Sequence, residues 1–287
     1  MKLCLIQEKQ NRLYDFADTE KRFSLAEAEK LQGEMIEQNF ALMEDAARKG
    51  EFLVSSEAVN FCGQPVQLDF SVWSFLERGY KALAERLFQF AARKKVWLAI
   101  GLYRPAPGGV LYNSVLVINR RGELAAVYDK VHLAGTEKTY LSAGDSFCCF
   151  DSEFGRIGLC VCWDMQFPEV CRILALRGAG IVFCPTWGWE SIYAGSRAYE
   201  NGVYAAGAMA VPYGGPIQGI RSPSGVFDPE GGLAVTGGVE EAEVVCCELD
   251  LRGEWDIHRI RMEDRRPELY RSLTDKGNHE SFNGENL

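Results

Sequence analysis

The 287-residue chain carries 31 Lys and Arg against 40 Asp and Glu, a formal charge of −9. It has no long basic run, which argues against nucleic-acid binding, because phosphate contacts need clustered cations. No stretch is apolar and long enough to span a bilayer, and the apolar run after Met1-Lys2 is too short for a signal-peptide core, so a cytoplasmic protein with no membrane partner is expected.

Strand and helix patterns alternate along the chain. Leu3 to Gln7 reads as a strand, and residues 11–23 are polar and weakly patterned, as in a surface loop insertion. Ala26 to Arg48 carries apolar residues at helical spacing. Phe52-Leu53-Val54-Ser55 is a short strand running toward Glu57, Trp73 to Lys94 a second long helix, and Val96 to Gly101 a strand. Tyr112 to Asn119 and Leu124 to Lys130 form two strands joined by the turn Asn119-Arg120-Arg121-Gly122. Arg156 to Cys162 is the central strand. Pro168 to Arg177 is a helix closed by Gly178. A strand over Ile181–Pro185 and a helix around Glu190 to Asn201 follow. Val203 to Ala210, Val226-Phe227, Leu233 to Thr236 and Glu243 to Glu248 complete the strands. Such alternation without a linker or repeat predicts one layered α/β domain over residues 1–287, and the hairpin-like pairs argue for mixed rather than purely parallel sheets.

The stretch from Gly155 to Glu169 stands out. An apolar strand breaks at Cys162 into Trp163-Asp164-Met165-Gln166-Phe167, and Pro168 then suits the first position of a helix. A thiol near a helix N-terminus is expected to be favoured as thiolate. Cys160, two residues earlier, is expected deeper on the same face. The chain has ten cysteines. Cys4, Cys160, Cys184, Cys246 and Cys247 sit in apolar runs and read as buried reduced thiols. Cys148-Cys149 and Cys160-x-Cys162 do not have the spacing of a zinc site, so no metal is expected.

A thiol nucleophile needs a base and an oxyanion donor. His132, His258 and His279 offer no clear partner. Glu57 and Lys130 both lie at carboxyl ends of strands, where sites collect in layered α/β proteins. Taken alone, a Glu or Lys at a strand end is more often a solvated surface residue. Together with the thiol, the pair supplies a base and a cation.

In their order and contexts these residues resemble the nitrilase (carbon–nitrogen hydrolase) superfamily over nearly the whole chain. The matching segments are Glu57 after an early strand, Tyr128-Asp129-Lys130-Val131-His132-Leu133, and Cys162-Trp163-Asp164 before Phe167-Pro168-Glu169. Glu137 falls where the family often has a second glutamate, ahead of Tyr140-Leu141-Ser142-Ala143-Gly144-Asp145. Arg172–Ala179, Pro185-Thr186-Trp187, Arg197-Ala198-Tyr199-Glu200-Asn201, Ser224–Pro229 and Arg265–Tyr270 are also similar. Ser56 stands where the family usually has a proline before its glutamate, and Trp163 where it often has tyrosine.

The resemblance implies a four-layer αββα sandwich of two mixed β-sheets flanked by helices, and a cofactor-free hydrolase of non-peptide C–N bonds. It implies that Glu57, Lys130 and Cys162 are catalytic and that Glu137 keeps Lys130 and substrate in register. A backbone N–H near Trp163 would share the oxyanion with Lys130. Trp163, Thr186 and Trp187 would contact substrate, although the two tryptophans fit plain core packing as well. Amide or N-carbamoyl substrates are expected ahead of nitriles. A true nitrilase, a catalytically silent scaffold and a redox-sensing thiol protein stay open as alternatives. A homodimer or larger homo-oligomer is also implied, with the tail from about 251 to 287, including Trp255, Ile257, Ile260 and Met262, either reaching a partner or packing on its own domain.

Overall fold

The computed structural model describes residues 1–14, 20–61, 67–68, 70–251 and 256–275. Two compact units are distinguished, Met1–Glu254 and Trp255–Leu287. The first holds two six-stranded mixed sheets. In chain order its strands are β1 (Lys2–Gln7), β2 (Phe52–Ser55), β3 (Trp97–Ala106), β4 (Val110–Ile118), β5 (Leu124–Asp129), β6 (Cys148–Ser152), β7 (Gly155–Leu159), β8 (Ile181–Thr186), β9 (Tyr204–Met209), β10 (Gly225–Phe227), β11 (Leu233–Thr236) and β12 (Glu243–Glu248). One sheet runs β12-β1-β2-β3-β4-β5 and the other β11-β10-β9-β8-β7-β6. The parallel pairs, β1–β2–β3 and β7–β8–β9, occupy the middle of each sheet, and antiparallel strands flank them. Central parallel strands are covered on both faces, which is why β8 reads as a continuous apolar run and buries all six residues.

Helices α1 (Leu25–Ala46) and α2 (Val72–Lys94) cover one sheet, and α3 (Pro168–Leu176) and α4 (Ser191–Asn201) cover the other. The result is the expected αββα sandwich. Ser24 and Ser71 cap the two long helices by accepting from the N–H groups of Glu27 and Ser74, satisfying donors that a helix start leaves open. Leu83, Leu87 and Phe90 of α2 pack with Met43 of α1 over Leu53, Leu98 and Ile100. Between the sheets, Phe52 of β2 stacks on Trp97 of β3 at 5.6 Å and meets Phe183 of β8 edge-on at 4.9 Å. Full burial of such a ring contributes on the order of 2–3 kcal/mol.

Three expectations are corrected. The described parts of the 11–23 stretch, 11–14 and 20–23, are not simply a surface insertion, because Leu13, Tyr14 and Phe23 are buried against Leu31, Met35, Phe61 and Phe75. They are isolated apolar residues in a polar stretch, so no periodicity announces them. Cys4 and Cys246 are not separate thiols. The antiparallel β1–β12 register sets them opposite each other, with Cα atoms 4.2 Å apart, and they form a disulfide across 242 residues of sequence. Cys160 and Cys184 are buried free thiols as expected, whereas Cys247 is only half-buried. Finally, the central strand stops at Leu159 rather than at Cys162.

Among the described residues no helix is long and apolar enough to cross a membrane. In the second unit α5 (Asp256–Glu263) precedes 3₁₀ turns at Pro267–Leu269 and Arg271–Leu273, where the Arg266 N–H donates to the Tyr270 hydroxyl. Trp255 and His279 lie outside the described residues, as do the side chains of Ile257 and His258.

Candidate active site

The two sheets approach each other closely beside Glu57. A Cβ on Gly101 would lie 2.5 Å from the Ser56 carbonyl oxygen and 2.9 Å from Pro185 of the facing sheet. Only glycine allows this approach. Beyond β2 the chain turns at residues 57–60, with Ala58 at φ +50°. Asn60 fastens this turn to β3. Its side chain accepts from the Tyr103 N–H and donates to the Tyr103 carbonyl, both at 2.8 Å. The Ser55 hydroxyl accepts from Gly101 N–H at 3.0 Å. Trp187, just past β8, donates its indole N–H to the Glu57 carbonyl at 2.7 Å. Glu57 is thereby clamped from both sheets and is 1% exposed.

Lys130 follows β5 and is equally buried. Its Nζ lies 2.8 Å from Glu57 Oε1 and 2.9 Å from Glu137 Oε1. Asn113 of β4 donates to the same two oxygens at 2.7 and 3.0 Å, and Ala134 N–H holds the other Glu137 oxygen at 2.7 Å. One ammonium thus serves two carboxylates away from water. Burial raises the Glu57 carboxyl above its ordinary value, and the neighbouring Glu137 charge adds to this, while Lys130 and Asn113 oppose it. Burial works against the charge of Lys130, but Glu57, Cys162 and Glu137 outweigh it and hold the ammonium well above the usual lysine range.

Cys162 begins a 3₁₀ turn, Cys162–Gln166, and sits at φ +45°. A left-handed conformation at a residue with a side chain is costly, and such outliers cluster at functional sites. Both turns that present candidate groups, at Ala58 and at Cys162, have this property. Asp164 anchors the second turn. Fully buried, it accepts from Val161 N–H at 2.9 Å, from the Tyr128 hydroxyl at 2.7 Å and from His132 N–H at 2.9 Å, and His132 Nδ1 also meets it at 2.9 Å. The elbow is thus tied to the segment that carries Lys130. His132 stacks on Phe167 at 3.9 Å. Arg197 of α4 holds the far end of the turn, donating to the Met165 and Gln166 carbonyls at 3.2 and 3.0 Å.

The expectation that a helix terminus lowers the Cys162 pKa is not met. Burial and the Glu57 charge push the thiol up to about 12, against the pull of Lys130, the Thr186 hydroxyl and the Trp187 backbone. Glu57, Lys130, Thr186 and Trp187 are thus the groups whose charges or dipoles bear on the thiol. Cys162, Trp163, Gln166, Trp187 and Gly188 line a cleft of about 610 Å³. Trp163 is 43% exposed there and is not a core residue. Thr186 is fully buried and accepts from Gly188 N–H at 3.0 Å.

Asn113, Asp164 and Arg197 have structural parts here that sequence reasoning did not assign. A signal for Asn113 existed, since Asn113-Ser114 is a polar pair inside an otherwise apolar strand. Among the described residues no group of three His, Cys, Asp or Glu is placed to hold a metal ion.

The model of the carbon–nitrogen hydrolase family matches residues 31–255. A probable nitrilase of Schizosaccharomyces pombe is 33% identical over 174 residues, 57% of this chain and 63% of that protein. Human omega-amidase NIT2 is 33% identical over 185 residues, 58% and 66% of the two chains. N-carbamoylputrescine amidase of Solanum tuberosum is 30% identical over 199 residues, 56% and 63%. The chain thus spans less than two thirds of the length of these relatives. Among solved structures, a carbon–nitrogen hydrolase from Helicobacter pylori G27 superposes with a TM-score of 0.77 at 22% identity, covering 96% of this chain and 98% of that one. An amidase from Nesterenkonia gives 0.71 at 24% identity, covering 95% and 96%. Likeness at this level of identity concerns the fold.

Proposed function

Because the chain belongs to the carbon–nitrogen hydrolase family, we propose that it hydrolyses a non-peptide C–N bond, amide or N-carbamoyl, of a small molecule through a Cys162 thioester. What supports this reading is the buried Glu57–Lys130 ion pair, whose two charges both bear on the Cys162 thiol, together with the cleft that Cys162 lines. A thiol held near 12 is protonated at neutral pH and needs a base, and a buried carboxyl with a raised pKa is suited to take and return a proton.

Glu57 takes the thiol proton as the sulfur attacks the substrate carbonyl carbon. Lys130 and a backbone N–H near Trp163 face the oxygen on which negative charge develops. The tetrahedral adduct collapses, the C–N bond breaks, and the proton on Glu57 goes to the departing amine or ammonia. Glu57 then takes a proton from water, whose oxygen attacks the thioester. The carbon–sulfur bond breaks, the proton returns to sulfur, and the acid leaves. Glu137 and Asn113 hold Lys130 and Glu57 in register. Trp163, Thr186 and Trp187 contact the substrate.

A panel of short amides, N-carbamoyl acids and nitriles, with ammonia release as readout, tests the reading. Amides or carbamoyl compounds should be consumed and Cys162→Ala should be inactive. Exclusive turnover of nitriles, or an active Cys162→Ala protein, overturns it. As the resemblance implies, copies of the chain are proposed to associate, which light scattering in solution checks.

A further inference from the structure

Among the polar residues of the cleft to which the chemistry proposed above gives no part are Gln10, Arg221 and Glu190. Gln10 is 7% exposed, and its Nε2 is cut off from water with no hydrogen-bond partner. Its backbone is fixed, because Gln10 N–H donates to the Val211 carbonyl at 2.8 Å. A buried donor left unmade costs about 1–3 kcal/mol, and an acceptor entering the cleft would relieve that cost. Arg221 lies across the backbone of Gly188, where a Cβ would come within 3.4 Å of its Nε and 3.7 Å of its Cζ. At these distances the guanidinium lies in van der Waals contact range of position 188. Glu190, half-buried, begins α4 without capping it through its side chain.

Arg221 and Glu190 belong to two segments held side by side. Ser222 N–H donates to the Trp189 carbonyl, and Ser191 N–H to the Ser222 hydroxyl, each at 2.9 Å. Opposite charges on such neighbouring segments would ordinarily pair. Among the described residues Arg221 and Glu190 pair neither with each other nor with any other charged group. Both line the cleft that opens onto Cys162. A neutral substrate would leave both charges uncompensated, and a carboxylate alone would face Glu190 as well as Arg221. A head that carries one carboxylate and one ammonium satisfies every one of them.

Resting on the hydrolase reading, we propose that the cleft takes substrates whose far end is an α-amino-acid head. Arg221 and Gln10 donate to its carboxylate, and Glu190 accepts from its ammonium. The scissile amide or carbamoyl group sits at the other end of the molecule, over Cys162.

The test is kcat/KM for ammonia release from four compounds of matched reach. These are glutamine, glutaramate (no ammonium), 4-aminobutanamide (no carboxylate) and butanamide (neither). Loss of each charge should lower kcat/KM by about tenfold, the value of one charge-assisted hydrogen bond in an open cleft. Arg221→Gln should collapse the ratio of glutamine to 4-aminobutanamide, and Glu190→Gln the ratio of glutamine to glutaramate. Gln10→Leu should raise KM for glutamine more than for butanamide. A merely structural role would lower all four rates together and leave the ratios in place. Butanamide or glutaramate consumed as well as glutamine, or ratios unmoved by the variants, overturns the inference and leaves the hydrolase reading intact. No ammonia from these four compounds, or from any amide or N-carbamoyl compound, overturns both.

Discussion

The two sheets contribute to the candidate site in different ways. The half built on β2, β4 and β5 is a charge cluster. Glu57, Lys130, Glu137 and Asn113 are bonded to one another through side chains, while Glu57 Oε2 and Asn113 Oδ1 are buried without a partner. The half built on β7 and β8 is a backbone device, in which a left-handed residue presents a sulfur on a turn held by Asp164 and Arg197. The first half should therefore govern stability as well as chemistry, because breaking a buried ion cluster strands charge. The second half should govern chemistry far more than stability.

Cys162→Ala should break that comparison most sharply. We expect turnover to fall by at least about 10⁴-fold, with a melting temperature close to that of the parent, since the change removes one sulfur atom from a residue that is only half-buried. Lys130→Met should abolish turnover and also destabilise the fold by about 3–5 kcal/mol, because two buried carboxylates lose their cation. Denaturant titration should show partial recovery when Glu137→Gln is added.

A second buried carboxyl on the same sheet sharpens the contrast. Burial raises Glu8, just past β1, from 4.5 to about 7, against the opposing bond from Asn39. Its folded pKa lies above its unfolded one, so the native state holds a proton that the unfolded chain has already lost. Stability should therefore fall as pH rises from about 4.5 to about 7, by an amount on the order of 3 kcal/mol. Glu8→Gln should flatten that decline in urea melts recorded across the range.

Asp164→Asn replaces one of the two acceptor oxygens that bind the elbow to Tyr128 and His132. A cost of about 1–3 kcal/mol is expected, with kcat lowered more than KM because the sulfur is displaced. The smallest effect belongs to Trp163→Phe. At 43% exposed, it should leave stability unchanged and alter KM by only about two- to threefold, as expected for a partly solvated contact.

Much of this was legible from residue patterns. The apolar runs of β7 and β8 and the spacing of α2 announced themselves through burial on both faces or along one stripe. Pro168 marked the start of α3. Glu57, Lys130 and Cys162 were recognisable because three chemically apt residues sat in three matching contexts. Strand β6 was missed because its Cys148–Ser152 segment buries only Phe150 and lacks a clear alternation. Leu13, Tyr14 and Phe23 were missed because isolated apolar residues have no period.

The linear chain by itself determined the layered α/β class, the family and the identity of the candidate nucleophile, since these rest on local periodicity and on residue types in short contexts. The tertiary structure alone decided that Asn113 bridges two carboxylates, that Cys4 meets Cys246, that Asp164 ties the elbow to the Lys130 segment, and that the thiol is pushed up rather than down. Each of these depends on which distant segments share a low-dielectric space, and burial and through-space charge, unlike periodicity, are properties of neighbours in the folded molecule.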